Sequence, residues 1–473
     1  MEFPSAYIPI DRRLALLART DLPEHTEGTV LFADLSDFTA LTEQFFTVLG
    51  PKRGVEQLTT QLNAIYGALI DAVFQWRGSV VGFGGDALTC WFDQDDGRNA
   101  IACSLAVQAA MDQWATIPIN SEHTASFGIK IALASGPIRR FVVGDPDVQL
   151  MDMLAGSVLV RAIEAEQHAR RGDIIAGRDL AERFGAALRI EPHADPEYAL
   201  LRGLELDLTP QPWPSAGHDL APDVVRPWVL GPVYEQVVSG QAQFMAEIRP
   251  VVALFLRFGA IDYDQVADAP DQLDALTCRA QHVVAQNEGT VLQVVVGDKG
   301  QYLYAVFGAP LAHEDDAARA VRAALQLRGL AAEFPALEQL QIGISQGKML
   351  VNSYGNSTFR TYSALGDEAN VAARLMMRAQ PGQILVTQHV AETIEHLYVT
   401  VPLETITLKG KQKPLPVVSV QRVRVTAAPP PRRVAPVLVG REAECSRIAE
   451  RLEAARAGRG GVVLVEGEAG IGK

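Results

Sequence analysis

Residues 29–44 read TVLFADLSDFTALTEQ and decide the fold of the first part of the chain. The β-favouring start of this stretch predicts a strand that brings the carboxylate of Asp34 to its C-terminal end. Ser36 and Asp37 are typical capping residues, so we expect a helix to begin near Phe38. An acid beside the free N–H groups of a helix N-terminus can hold a divalent cation and the phosphates bound to it. Taken alone, however, Asp34 fits a cap or a turn as well as a metal ligand.

A second acid, Asp86, follows in residues 79–92, SVVGFGGDALTCWF. Two apolar runs flank Gly84-Gly85-Asp86, a pattern that predicts a β-hairpin with a carboxylate at its tip. One acid at a strand-to-helix turn and another at a hairpin tip suit a site that binds two metal ions and a phosphorylated substrate.

At these two acids the sequence resembles the class III nucleotide cyclases. In that family, the patterns F-x-D-[IL]-x-x-F-T and F-x-G-D supply the two metal-binding aspartates, which match Asp34 and Asp86. The resemblance implies two divalent cations, Mg²⁺ or alternatively Mn²⁺ or Ca²⁺, held by Asp34, Leu35 and Asp86. It also implies that Phe38 and Thr39 lie against the substrate.

The composition narrows the classes of function that fit. The 473 residues are 48% hydrophobic, which predicts two or three domains with substantial cores. A formal charge of −14 argues against binding to nucleic acid or to an anionic membrane. The chain has no apolar run near the roughly 20 residues that span a bilayer, and its N-terminus lacks the layout of a signal peptide. We therefore expect a cytoplasmic protein with no membrane span.

Many elements of the first part recur further along the chain at an offset of roughly 210 to 220 residues, which predicts a tandem duplication. For example, residues 78–81 correspond to residues 289–292, and residues 172–175 correspond to residues 382–385. Six prolines in residues 204–232 indicate a linker between the two copies.

The resemblance implies an α+β fold in which two ferredoxin-like (βααββαβ) cyclase domains pair as a pseudo-heterodimer within one monomeric chain. Six segments are predicted: an N-terminal helical segment (1–24), a first cyclase-like domain that binds metal (25–203), a Pro-rich linker (204–244), a second cyclase-like domain that carries the base-binding and transition-state residues (245–424), a second Pro-rich linker (425–437) and the start of a P-loop NTPase domain (438–473).

The two copies differ at the positions expected to carry the chemistry. In the second copy, Arg257 and Gln301 stand near the positions of Asp34 and Asp86, so this copy has no acid pair. It contains instead the stretch GDEANVAARLM, residues 366–376.

Asn370 and Arg374 in that stretch are one helical turn apart and share a helix face. They resemble the transition-state asparagine and arginine of the class III cyclases, whereas the first copy has Val160 and Glu164 there. Class III cyclases combine metal ligands from one domain with transition-state residues from the other. The resemblance therefore implies one complete site per chain.

The arrangement is similar to that of the tandem-domain soluble, bicarbonate-responsive adenylyl cyclases of subclass IIIb. The implied reaction is attack of the ribose 3′-hydroxyl of ATP on the α-phosphorus, which releases pyrophosphate and 3′,5′-cyclic AMP. By resemblance, Asn370 orients the ribose, Arg374 stabilises charge on the α-phosphate and Lys130 contacts a terminal phosphate.

The resemblance also implies that Gln293, Ser363 and Ala364 bind the purine. Because an amide both donates and accepts hydrogen bonds, Gln293 is compatible with adenine or guanine. We favour ATP as the substrate, with GTP as the alternative. A function of another class also fits the sequence, namely a catalytically silent, nucleotide-sensing pseudo-cyclase that regulates a downstream NTPase.

In the animal enzymes of this family, a lysine and an arginine hold bicarbonate in the second, degenerate site. Here Gly82 and Ile163 stand near those positions, and Arg161 is rotated away from the arginine position by about 200° on the helix. We therefore expect little direct stimulation by bicarbonate.

The end of the chain carries a phosphate-loop pattern. Gly467, Gly472 and Lys473 match G-x-x-x-x-G-K after the apolar run VVLV. This match predicts that the chain stops just inside a P-loop NTPase domain.

Overall fold

The computed structural model describes residues 3–36, 38–84, 87–214, 220–241, 246–259, 261–297, 300–403, 405–406, 414–424 and 442–464. The chain divides into two compact units, residues 1–423 and residues 424–473. Within the described residues, no helix combines the length and the apolar character needed to cross a bilayer.

The first half of the larger unit begins with a short helix and continues through strands and helices in mixed order. Its elements are α1 (Ile10–Ala18), β1 (His25–Ser36), α2 (Phe38–Gln75), β2 (Ser79–Gly84), β3 (Ala87–Asp93), α3 (Arg98–Met111), β4 (Thr116–Pro118), β5 (Thr124–Ser126), β6 (Gly128–Val143), β7 (Met151–Ala155), α4 (Ser157–His168), β8 (Ile174–Gly177), α5 (Arg178–Phe184), β9 (Leu188–Pro192) and β10 (Tyr198–Leu204).

After two linker helices, the described residues of the second half repeat this order without the short β4–β5 pair. Its elements are α6 (Pro222–Val225), α7 (Gly231–Val238), β11 (Glu247–Phe258), α8 (Ala269–Gln286), β12 (Thr290–Gly297), β13 (Gly300–Phe307), α9 (Asp316–Gly329), β14 (Gln341–Gly355), β15 (Arg360–Leu365), α10 (Asp367–Arg378), β16 (Ile384–Thr387), α11 (Gln388–Ile394), β17 (Tyr398–Pro402) and β18 (Val417–Val423).

The two halves have sheets of the same topology. The first sheet runs β2-β3-β1-β6-β8-β10-β9 with β7 paired to β6, and the second runs β12-β13-β11-β14-β16-β18-β17 with β15 paired to β14. In each sheet the long central strand is parallel to only one neighbour, β8 or β16. The α+β fold with two similar sheet-and-helix domains is therefore confirmed.

Strand register relates individual residues of the two copies. Asp34 on β1 is paired with Lys130 on β6, and Arg257 on β11 is paired with Gln341 on β14. Five residues before Asp34, Thr29 is paired with Phe92 on β3, and five residues before Arg257, Val252 is paired with Phe307 on β13. Arg257 is thus the structural counterpart of Asp34, and Gln341 is the counterpart of Lys130.

Each half extends an arm onto the other. At the β14–β15 turn, the side-chain amide of Asn356 donates to Asp71 on α2 at 2.7 Å. At the other arm, the backbone N–H groups of Gly144 and Asp145 donate to Asp274 and Gln281 on α8, both at 2.8 Å. These reciprocal contacts join the halves into one unit.

The segment predicted as a Pro-rich linker is partly helical. Helix α7 has a proline in its first turn, a position at which proline is compatible with a helix. Val233 and Val237 of α7, together with Trp228, are buried against the second sheet. The sequence prediction was based on proline content and missed this apolar helical spacing.

The N-terminal helix is held by a buried network of ion pairs. Asp152 on β7 has a side chain that is only 1% exposed, and it accepts hydrogen bonds from Arg12 and Arg140, each at 2.9 Å. Arg140 also binds Asp11, which accepts a further hydrogen bond from Ser79 at 2.7 Å. Burial alone would raise the pKa of Asp152, but the two guanidinium groups outweigh this effect and lower it.

Removal of the central carboxylate of this network is expected to destabilise the fold. Asp152→Ala leaves two arginines buried with a single remaining carboxylate, and breaking a buried ion pair in this way costs about 3–5 kcal/mol. Urea denaturation followed by circular dichroism measures the free energy of unfolding.

The matched control is Asp179→Ala, which breaks an ion pair with Arg161 whose side chains are 55% and 44% exposed. We expect this variant to change the free energy of unfolding by less than about 1 kcal/mol. Equal effects of the two substitutions would show that the Asp152 network contributes no special stability.

Candidate active site

A cavity of about 380 Å³ lies between the two halves. Its wall includes Asp34 and Lys130 from the first half, Gln293 and Arg360 from the second half, and Trp228 from the linker. A cavity of this size suits a small-molecule ligand.

Asp34 and Lys130 bring opposite charges to the cavity wall. Since directly opposed residues on neighbouring strands point to the same face of a sheet, both side chains reach the cavity. The Lys130 ammonium lies 3.2 Å from Oδ2 of Asp34 and also forms an ion pair with Glu166 on α4. Burial lowers the pKa of Lys130, but the two carboxylates outweigh it and leave the pKa above its ordinary value. Lys130 is therefore a permanent cation at this site.

The chemistry of Asp34 fits a divalent cation. Its side chain is 21% exposed and lines the cavity, and carboxylate oxygens are the ligands that Mg²⁺ and Ca²⁺ prefer. The side chain of Leu35 is packed into the core, so only its backbone carbonyl is available as a ligand. Among the described residues, no group of three His, Cys, Asp or Glu side chains is arranged to hold a metal ion.

The second predicted metal ligand, Asp86, lies outside the described residues, as do the side chains of Phe38 and Thr39. Gly84 and Ala87, which flank the tip of the β2–β3 hairpin, both line the cavity. The two strands of the hairpin therefore lead to the cavity that contains Asp34.

Two polar atoms predicted to bind the purine have no hydrogen-bond partner in the described structure. They are Nε2 of Gln293 on β12 and Oγ of Ser363 on β15, and both are buried. An unsatisfied buried donor costs about 1–3 kcal/mol, and a bound ligand or an ordered water would satisfy these atoms. The carbonyl of Ala364, by contrast, already accepts a hydrogen bond from Tyr304 at 2.9 Å.

Asn370 and Arg374 lie in the first two turns of α10, where Asn370 is exposed and Arg374 is half-buried. Neither residue is in the wall of the cavity, and neither is Ser363. Asp34, Lys130 and Gln293 therefore line one cavity, and the wall of this cavity does not include Asn370 or Arg374.

Residues 267–418 match the family model described as the adenylate and guanylate cyclase catalytic domain. The matched segment is about a third of the chain. It includes Gln293, Ser363, Asn370 and Arg374, whereas Asp34 lies in the other half of the pair.

Curated relatives extend the similarity beyond this segment. The chain is 24% identical to adenylate cyclase type 10 of Homo sapiens over 395 residues, which cover 75% of this chain and 24% of the human protein. It is also 24% identical to the protein of the same name from Mus musculus over 390 residues, or 74% of this chain and 24% of that protein. The chain thus spans about a quarter of the length of these relatives.

A solved structure shows the same fold over both halves. It is a class III adenylyl cyclase-like ATP-binding protein from Pseudomonas aeruginosa, with a TM-score of 0.54 and 14% sequence identity. The match covers 78% of this chain and 85% of that protein. Two domains of similar fold in one chain are therefore supported by this structural match as well as by internal repetition.

In the second half, the counterparts of the predicted metal-binding positions form hydrogen bonds with other protein groups. The guanidinium of Arg257 donates to Gln341 at 3.2 Å. Gln301 accepts a hydrogen bond from Tyr263 at 2.8 Å and donates to the carbonyl of Ile261 at 2.9 Å. Arg257 and Gln301 are cationic and neutral residues at positions where the first half has acids. The second half therefore has no carboxylate at the counterpart of Asp34.

Arg161, which the sequence places away from the anion-binding arginine position, has protein partners in the structure. It donates to the carbonyl of Ser135 at 2.7 Å and forms an ion pair with Asp179 at 3.1 Å. Gly82 and Ile163 line the cavity and carry no charge. Weak direct stimulation by bicarbonate remains a prediction.

Sequence reasoning missed Glu166. This residue is buried on α4, on the face that carries Ala162, Ile163 and Ala165, and it lines the cavity. The available signal was an acid on the apolar face of a helix, since such a buried charge is rarely left without a partner.

The C-terminal unit contains helix α12 (Glu442–Arg456). Residues 462–464, which belong to the apolar run VVLV, have no regular secondary structure. Gly467, Gly472 and Lys473 lie outside the described residues, so the phosphate loop remains a prediction.

Asp34→Asn is expected to weaken the binding of divalent cations. Changes to groups around a metal site cost about 10–100-fold in affinity even when the ligands stay in place, so loss of a ligand should cost at least about tenfold. Electron paramagnetic resonance of Mn²⁺ measures the affinity.

The control is Asp93→Asn. Asp93 is the last residue of β3, whereas Asp34 pairs with the first residue of that strand, and the Asp93 carboxylate accepts a hydrogen bond from Thr26 at 2.6 Å. We expect its Mn²⁺ affinity to equal that of the unmodified protein. Unchanged affinity in Asp34→Asn would exclude Asp34 as a metal ligand.

Proposed function

We propose that this chain is an adenylate cyclase that converts ATP to 3′,5′-cyclic AMP and pyrophosphate at one site between its two halves. The proposal rests on the cavity in which Asp34 and Lys130 of the first half face Gln293 of the second. A carboxylate, an ammonium group and an unpaired amide are suited to a cation, a phosphate and a purine, respectively.

In this proposal Asp34, Leu35 and Asp86 would hold two divalent cations, Mg²⁺ by preference and Mn²⁺ or Ca²⁺ as alternatives. When bound, these ions would lower the pKa of the attacking 3′-hydroxyl and neutralise the triphosphate.

The other residues of the proposed site position the substrate. Lys130 binds the terminal phosphate, Asn370 orients the ribose, and Arg374 stabilises negative charge on the α-phosphate through its permanently charged guanidinium group. Phe38 and Thr39 lie against the triphosphate. Asn370 and Arg374 are outside the cavity wall, so their proposed roles rest on the resemblance of residues 366–376 to the cyclase pattern.

The purine is proposed to be adenine. The unpaired Nε2 of Gln293 is a donor for adenine N1, and Ser363 and Ala364 are the other residues proposed to contact the base. Guanylate cyclase activity by the same mechanism is the alternative, since the amide of Gln293 can also present its oxygen.

A second candidate function is a nucleotide-binding sensor without turnover. Its support is the position of Asn370 and Arg374 outside the cavity wall, together with the likeness in fold to a cyclase-like ATP-binding protein. In either case we propose a cytoplasmic monomer with paired domains and a downstream NTPase domain.

One assay separates these candidates. The protein is incubated with ATP or GTP and with Mg²⁺ or Mn²⁺, and cyclic nucleotide is measured by chromatography. Cyclic AMP in excess over cyclic GMP supports the proposal, whereas tight nucleotide binding without cyclic product supports the sensor.

Arg374→Ala should lower kcat by about 10²–10³ with little change in KM, because a group that stabilises charge only in the transition state contributes to kcat. Steady-state kinetics with ATP provide the measurement. Arg378→Ala, an exposed arginine one turn further along α10, is the control and should retain normal kcat. A normal kcat in Arg374→Ala would exclude its proposed role.

Gln293→Lys should increase the preference for ATP over GTP. The ammonium group is a fixed donor, whereas the amide can present either a donor or an acceptor to the base. The ratio of kcat/KM for the two nucleotides provides the measurement, and an unchanged ratio would show that residue 293 does not contact the base.

A further inference from the structure

Lys130 forms an ion pair with Glu166, an acid that has no role in the proposed mechanism. We propose that Glu166 holds Lys130 in an ion pair in the absence of nucleotide, so that an incoming polyphosphate must displace this carboxylate. Glu166 is thus a positioning residue that acts through Lys130 and weakens triphosphate binding. The inference builds on the proposed function, because it concerns the phosphate subsite of the same cavity.

The geometry supports a competition for one ammonium group. Lys130 lies between Asp34 on the neighbouring strand and Glu166 on α4, which packs over the sheet. All three side chains line the cavity, and their exposed fractions are 24% for Lys130, 21% for Asp34 and 11% for Glu166. The ion pair with Glu166 is therefore the more deeply buried of the two.

A metal ion bound by Asp34 would strengthen this arrangement. A cation at Asp34 occupies the carboxylate and repels the ammonium group, which leaves Glu166 as the carboxylate that neutralises Lys130. The phosphates of a ligand then compete directly with Glu166 for the same donor.

The second half of the chain provides an internal comparison. Helix α4 begins at Ser157 and α10 begins at Asp367, so the counterpart of Glu166 is Met376. The counterparts of Asp34 and Lys130 are Arg257 and Gln341. The second half therefore lacks the aspartate, the lysine and the glutamate together. Since both halves have the same fold, this shared absence associates Glu166 with the chemistry of the cavity.

Titration calorimetry with inorganic triphosphate and Mg²⁺ tests the proposal without the need for turnover. Glu166→Gln keeps the size of the side chain and removes its charge, so the triphosphate no longer competes with a carboxylate. We expect this variant to bind triphosphate about three- to tenfold more tightly than the unmodified protein. Glu164→Gln, an exposed position on the same helix that is not part of the cavity wall, should leave the affinity unchanged.

A double substitution separates this effect from a general change in charge or structure. In the Lys130→Met background, Glu166→Gln should give no gain in affinity, because the ammonium group for which the two anions compete is missing. Thermal unfolding of each variant confirms that it is folded.

Equal affinity of the unmodified protein and Glu166→Gln, or a gain that persists without Lys130, would overturn the inference. The result is independent of catalysis. If no cyclic nucleotide is formed but the Lys130-dependent gain is present, the proposed activity fails and the role of Glu166 stands. If cyclic nucleotide is formed and the gain is absent, the reverse holds.

Discussion

The pairing of β1 with β6 is the constraint on which the cavity depends. Its register sets Asp34 directly opposite Lys130, and a shift of one residue would turn one of the two side chains to the other face of the sheet. The strands are long and buried at their centres, so this register is fixed by the core and not by the charges. The ion pair at the cavity is therefore a consequence of apolar packing elsewhere along the same strands.

The same core explains which parts of the molecule are predictable from sequence. The duplication, the strand that carries Asp34 and the substitution of Arg257 in the second copy follow from local patterns and a regular offset, and the structure agrees with them. Glu166, the Asp152 network and the burial of α7 were not predicted. Each depends on contacts between segments far apart in the chain, and a single sequence contains no signal for the partner of a buried charge.

The contacts around Asp152 show how the N-terminal segment becomes part of the cavity. Asp152 lines the cavity and binds Arg12 of α1, while Tyr7 just before α1 lines the cavity and forms a hydrogen bond to Ser353 of the second half at 2.6 Å. A buried ion network requires nearly complete pairing to offset its desolvation. Because Asp11 and Arg12 of α1 must both reach their partners in this network, α1 has less freedom of position than apolar contacts alone would leave it.

The second copy lacks the acids of the first, and the segment that follows β11 also differs from the segment that follows β1. In the first half, β1 is followed almost at once by α2. In the second half, the residues after β11 contact the first half: Arg139 donates to the carbonyls of Val266 and Ala267 at 2.7 and 2.8 Å, and Asp264 accepts from the N–H of Ser157 at 3.0 Å. A carboxylate at that helix N-terminus is favourable because it meets the positive end of the helix dipole. A loop that must admit a triphosphate cannot make such permanent contacts, so a tandem chain with a single catalytic site can use the second loop as a joint between its halves.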